Sequence, residues 1–66
     1  MKNSVKVERA KKDITQAELA KAIDVSRQTI NAIEKNKYVP STVLAIKLAQ
    51  YFEVQVMDIF TLDQND

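Results

Sequence analysis

Apolar residues along the 66-residue chain recur at three- and four-residue spacings in short runs, and a residue able to cap a helix introduces nearly every run. Ile14, Leu19, Ala20 and Ile23 form one such run. Thr15 stands at its head with Glu18 three positions later, the pattern of a capping box, and Ile14 and Leu19 flank it as a hydrophobic staple. A helix from Gln16 to about Ile23 is predicted. Ser26 heads the next run, with Val25 and Ile30 as its staple. It predicts a helix from Arg27 to about Lys35, closed by Asn36 in the left-handed conformation. Val39 must be extended, because the ring of Pro40 disfavours helical geometry before it. Ser41 caps a predicted helix from Thr42 to about Phe52, with Leu44, Leu48 and Tyr51 spaced for burial and Val43 and Ala45 as further inner candidates. A short last helix is predicted around Val56–Phe60. The segment from about Ser4 to Lys12 has two readings. It is a first helix whose inner face relies on Val5 and Val7, or a strand, since Val5-Lys6-Val7 also alternates.

The chain has no glycine. The junctions at Asp24, Asn36 and Glu53 each need a turn that glycine makes most readily. Asp and Asn tolerate the left-handed region, whereas Glu53 tolerates it less well, so the turn there either differs or stores about 1 kcal/mol.

Composition narrows the class. With 45% hydrophobic and 29% charged residues the chain is globular rather than disordered. Its length fits one domain spanning 1–66, and a chain this short removes only about 60% of its unfolded surface from water. The absence of Cys and His excludes disulfides and the usual zinc ligands as reinforcement, leaving helix packing, oligomerisation or both. No metal or cofactor is expected. No apolar run is long enough to span a membrane, and the N-terminus lacks an apolar signal core, so a cytoplasmic, nucleoid-associated protein is expected. The net charge of +1 conceals an asymmetry. Residues 1–47 hold all ten bases against five acids, a balance of +5, and residues 48–66 hold four acids and no base. A basic part of this kind suits a polyanion. Catalysis is not expected: there is no histidine, cysteine or glycine-rich phosphate loop, the acids are scattered, and Ser26 and Ser41 are explained as caps.

The two capped helices over 16–23 and 27–35 are joined by about three residues, the length of a helix-turn-helix whose second helix enters a DNA major groove. On that second helix Ile30 and Ile33 define the inner face. Gln28, Asn31 and Lys35 lie opposite, with Arg27 and Ala32 on the borders. Gln and Asn can bond adenine bidentately, and Arg guanine. A merely solvated face would be better served by Glu, Lys and Ala, which have higher helix propensity.

These segments together resemble the Cro/cI-type (XRE-like) helix-turn-helix family of phage repressors and small bacterial regulators. Ile14-Thr15-Gln16-Ala17-Glu18-Leu19-Ala20 resembles the opening of that family's second helix, and Val25-Ser26-Arg27-Gln28-Thr29-Ile30 the start of its recognition helix. Ile33-Glu34-Lys35-Asn36-Lys37 with Pro40-Ser41 resembles the exit, and Asp58-Ile59-Phe60 the closing helix. The likeness covers roughly residues 5–60, with the helix-turn-helix core at about 15–36. It implies an all-α, five-helix, lambda-repressor-like DNA-binding domain, a homodimer on a two-fold operator in double-stranded DNA. It further implies that Gln16 bonds a phosphate, that Arg27, Gln28, Asn31 and Ala32 meet bases, and that Lys35, Asn36, Lys37 and Tyr38 lie along the backbone. Arg9 and Glu34 occupy the positions of a structural ion pair. The chain departs from the family in having Glu8 where an apolar residue is usual, and Asp24, Asn36 and Glu53 where glycines are usual.

Residues 54–62 carry more apolar side chains than one short helix can bury. Val54, Val56, Met57, Phe60 and Leu62 are therefore the expected dimerisation segment. The expected function is a transcriptional regulator, a repressor of a palindromic operator. The alternative is a protein-interaction module, such as an antitoxin or the DNA-binding half of a two-protein complex, gripping a protein partner with that same apolar set. A chain of this size leaves no room for a conventional small-molecule pocket of about 300 Å³ or more.

Overall fold

Side-chain oxygens set three helix starts. In the structure, a computed structural model of residues 1–66, Thr15 accepts a hydrogen bond from the Glu18 N–H at 3.0 Å while the Glu18 carboxylate accepts from the Thr15 N–H at 2.9 Å. This closed box begins α2, Gln16–Ala22. Ser26 accepts from the Thr29 N–H at the head of α3, Arg27–Glu34, and Ser41 from the Leu44 N–H at the head of α4, Thr42–Phe52. The open segment near the N-terminus is helical: α1 runs Val5–Lys11. The last helix, α5, runs Val56–Ile59, with the Asp58 carboxylate accepting from the Gln55 N–H at 2.9 Å. Five helices make the fold all-α, with one small addition that helical periodicity does not foretell. Lys2–Asn3 (β1) and Phe60–Thr61 (β2) pair antiparallel, Lys2 opposite Thr61 and Asn3 opposite Phe60. The last predicted helix therefore ends one residue early, because Phe60 turns extended to join this ribbon.

The same turn closes four helices. Asp13, Asp24, Asn36 and Glu53 all have φ between 54° and 60°. At each, that residue's N–H bonds the carbonyl three positions back and the next N–H bonds the carbonyl five back. The pairs are Asp13→Ala10 with Ile14→Arg9, Asp24→Lys21 with Val25→Ala20, Asn36→Ile33 with Lys37→Ala32, and Glu53→Gln50 with Val54→Ala49. This is the Schellman arrangement, which satisfies carbonyls that a helix end leaves unpaired. Asp24, Asn36 and Glu53 are the junctions expected from the sequence; the turn at Asp13 is a fourth. Glu53 is left-handed rather than rerouted, and left-handed geometry is costliest there because its longer side chain offers no local compensation.

The core joins Val5 of α1, Leu19, Ala20 and Ile23 around α2, Ile30 and Ile33 of α3, Leu44, Leu48, Ala49 and Phe52 of α4, and Ile59 and Phe60 at the C-terminal side. Three inner assignments are corrected. Val7 is 54% exposed, so α1 holds the core with Val5 alone and the stem of Arg9 supports its next turn. Val43 is 64% exposed, turned about 100–140° around α4 from Leu44 and Leu48. Tyr51 is only half-buried, with its ring edge-on to Phe52 and the Lys12 ammonium 5.1 Å from its centre; Phe52 is the aromatic residue in the core.

Candidate nucleic-acid interface

The starts of α2 and α3 open onto one shallow, wholly polar cleft of about 530 Å³, lined by Gln16, Ser26, Arg27, Gln28 and Asn31. Packing Ile30 and Ile33 fully into the core fixes the rotation of α3, and that rotation turns Arg27 and Gln28 into solvent and leaves Asn31 half-exposed. Ala32, beside them on the border of the helix, is partly buried and does not line the cleft. Four of the side chains expected to touch DNA, Gln16, Arg27, Gln28 and Asn31, thus converge on one surface. Lys35, Asn36, Lys37 and Tyr38 follow beyond the end of α3 and are all exposed.

Arg9 and Glu34 lock this surface to the rest of the molecule. The Arg9 Nε and one terminal nitrogen donate to the two carboxylate oxygens of Glu34 at 2.8 and 3.1 Å, a bidentate pair, and the other terminal nitrogen donates to the Ile14 carbonyl at 3.1 Å. One guanidinium therefore joins α1, the residue before the α2 cap and the last residue of α3. The Glu34 side chain is 5% exposed and that of Arg9 17%. Burial by itself pushes the Glu34 carboxyl up. Hydrogen bonds from Arg9 and Gln16, with the charges of Arg9 and Lys6, outweigh it and hold the group below the ordinary carboxylate range. The same pair holds the Arg9 guanidinium above its ordinary value.

The Gln16 side chain reaches across to α3. Its amide nitrogen donates to Glu34 Oε1 at 3.1 Å and to Asn31 Oδ1 at 3.3 Å. Asn3 escaped the sequence reading altogether, although it also shapes this surface. Its amide nitrogen donates to the Ile33 carbonyl at 2.8 Å and to Asn36 Oδ1 at 2.9 Å, and its oxygen accepts from the Val5 N–H at 3.2 Å. It caps the end of α3 and the start of α1 together. The readable signal was a lone Asn next to a helix start, a residue type that bonds nearby backbone.

The C-terminal apolar set divides. Phe60 is buried in the core at 8% exposure, so it packs within the chain rather than standing free in a seam, and Val54 and Val56 are half-buried against the core. Met57 and Leu62 are 83% and 78% exposed. Val56 and Phe60 also edge an apolar groove of about 350 Å³ with Val39, Pro40, Ile46 and Met1, larger than expected from the sequence but open along the surface rather than enclosed. No helix is long and apolar enough to cross a membrane, and no group of acidic side chains is arranged to hold a metal ion.

Comparison with known proteins agrees with this geometry. A family model described as helix-turn-helix matches residues 5–59. Over 66 residues the chain is 52% identical to an uncharacterized HTH-type transcriptional regulator of Methanocaldococcus jannaschii, the match covering the whole of both chains. It is 42% identical to one of Bacillus subtilis, again over the whole of both. It is 46% identical to one of Archaeoglobus fulgidus, over all of this chain and 93% of that one.

Proposed function

We propose, from the premise that this chain belongs to the helix-turn-helix family, that it is a DNA-binding regulator of transcription acting as a repressor on a palindromic operator. The observation that carries the reading is the shared polar cleft of α2 and α3, presented by a helix whose apolar side is fully committed to the core. In this reading α3 lies in the major groove. Arg27 and Gln28, on its first turn, address base edges, Arg27 through guanine and Gln28 through adenine. Asn31 lies one turn deeper, with Ala32 beside it. Lys35, Asn36, Lys37 and Tyr38 lie along the phosphates, where they set position rather than sequence.

The active species is a homodimer. Met57 and Leu62 stand in solvent beside the apolar groove that Val56 and Phe60 edge, and the region from Tyr38 to Ile46 holds no charge in a chain that is 29% charged. Two recognition helices related by a two-fold axis would sit about 34–36 Å apart, one turn of DNA.

Selection of bound sites from random double-stranded DNA tests the reading. A palindromic consensus with half-sites one turn apart is the expected result. Recovery of no enriched sequence would instead favour a protein-interaction module that grips its partner through the apolar face.

A further inference from the structure

We infer that Gln16 is a positioning residue that fixes the donor–acceptor direction of Asn31, so that Asn31 presents its amide hydrogens to a base bearing an acceptor. The inference rests on the DNA-binding reading above and deepens it.

The chemistry of the ion pair fixes the direction of each hydrogen bond. Arg9 has donors only, and both oxygens of Glu34 accept from it. An ionised Glu34 has no hydrogen to give, so the atom of Gln16 that lies 3.1 Å from it must be the amide nitrogen. That nitrogen carries two hydrogens. The second points to Asn31 at 3.3 Å, which must therefore meet it with its carbonyl oxygen. The polarity runs in one sense from the ion pair to the cleft: Arg9 donates to Glu34, Gln16 donates to Glu34 and Asn31, and the Asn31 NH₂ is left as the group facing outward. The assignment follows from the chemistry of Arg and Glu, neither of which can reverse its role while charged.

Two consequences follow for DNA. With both of its side-chain hydrogens committed in the free protein, Gln16 holds Asn31 in place before DNA arrives. With one lone pair of its oxygen held by Gln16, Asn31 turns its NH₂ outward and reads first as a donor. In the major groove it is matched by the acceptors of a purine N7, guanine O6 or thymine O4, and mismatched by the cytosine N4 amino group.

The inference is tested in the free protein and on DNA. In the free wild-type protein, the two Gln16 side-chain amide protons should exchange with water roughly ten-fold more slowly than those of the exposed Gln50 and Gln64. Equal rates would overturn the relay whatever the protein binds. On DNA, site selection is run with wild type, Gln16→Ala, Asn31→Ala and Asn31→Asp. Asn31→Ala identifies the base pair concerned. Gln16→Ala should relax preference at that same pair roughly ten-fold, with the remaining consensus kept. Asn31→Asp, which still accepts from Gln16 but offers an acceptor outward, should move the preference toward cytosine. A Gln16→Ala protein that keeps the preference and binds all sequences more weakly would show a phosphate contact instead and overturn the inference alone. Failure of the wild-type protein to enrich any site would overturn the DNA-binding reading, and this inference with it.

Discussion

In the α2–α3 unit the outward groups are amides, a hydroxyl and a guanidinium; around α4 and α5 they are Val39, Val43, Ile46, Met57 and Leu62. The polar side is tied down. Gln16 and Asn31 are bonded to each other, and Gln16 to Glu34, before any ligand arrives. The apolar side has no such internal partners. The contrast teaches how a 66-residue chain divides its labour. Groups proposed to read a ligand are held in fixed geometry by a largely buried ion pair, which lowers the ordering penalty on binding. Groups proposed to meet a second copy need only be apolar and in reach.

Removing the anchor should have the largest effect. Glu34→Ala leaves the Arg9 guanidinium without its bidentate partner. The expected loss is about 3 kcal/mol, the lower end for breaking a buried pair because Arg9 keeps some contact with water. A domain of this size has only about 3–10 kcal/mol in all. A fall in melting temperature of roughly 12–24 °C is therefore expected by calorimetry or circular dichroism. The sign with pH also follows. The folded-state pKa of Glu34 is depressed, so its stabilisation is complete above the ordinary carboxylate range and is lost as pH falls through the lower folded value. The acid limb of the stability curve should flatten in Glu34→Ala. An unchanged melting temperature would mean that the polar side is not held by this pair.

Next in size are the residues proposed to read bases. Arg27→Ala and Gln28→Ala should each weaken binding to the best site by roughly 1–3 kcal/mol and change which sites are preferred, at unaltered melting temperature. If both variants kept the parent's site preference, the cleft would not be the reading surface.

The apolar side is broken by charge. Met57→Asp should weaken self-association at least roughly ten-fold, about 1.4 kcal/mol, without unfolding the chain, because Met57 is 83% exposed. Sedimentation equilibrium with and without DNA measures it. An unaltered dimer would move the seam away from α5. Positioning charges come lower still. If each subunit neutralises about 3–4 phosphates, log affinity should fall against log salt with a slope of about −5 to −7, and Lys37→Ala should reduce that slope by about 1 per subunit contact while sparing the consensus. Gln28→Ala, which removes no charge, should leave the slope alone.

The smallest effect is a gain. Glu53→Gly relieves a left-handed backbone at about 1–2 kcal/mol but frees the unfolded chain, leaving a net stabilisation of about 0.5–1 kcal/mol in denaturant unfolding. A loss of stability there would mean that the Glu53 side chain supplies more than its backbone gives up.

Much of this was readable because helix starts are local chemistry. Thr15 with Glu18, Ser26 and Ser41 announce α2, α3 and α4 through side chains that bond backbone within three residues. The inner face of α3 was readable for the same reason, since Ile30 and Ile33 leave one rotation that buries both. Long-range partners were not. Two-residue strands are too short to show a period of two, so Lys2–Asn3 and Phe60–Thr61 carried no signal. Asn3 was missed because its partners lie 30 and 33 residues away. Val7 and Val43 were misassigned because an apolar residue on a short helix shows its side only once the neighbouring helix is placed. The turn at Asp13 was missed because the segment before it, with Val5-Lys6-Val7 alternating, read equally well as a strand, which needs no helix-ending turn.

The ribbon of β1 and β2 has a consequence in time. Most helix contacts here close short loops, whereas pairing Lys2 with Thr61 closes nearly the whole chain. The entropy of that closure places it late, after α2 and α3 have docked. Because Asn3 sits in this ribbon and holds the Ile33 carbonyl, the end of the recognition helix is secured only in that last step. Kinetically, mutations at Asn3 should accelerate unfolding and hardly alter the folding rate, whereas Leu19→Ala should slow folding. A stopped-flow comparison that found folding slowed as much by Asn3→Ala as by Leu19→Ala would reverse this order. The same arrangement makes the far end of α3 the first hydrogen-bonded part of this surface to loosen in a native fluctuation, which amide exchange at Lys35 and Lys37 should register as the lowest protection among the hydrogen-bonded amides of the helix-turn-helix unit.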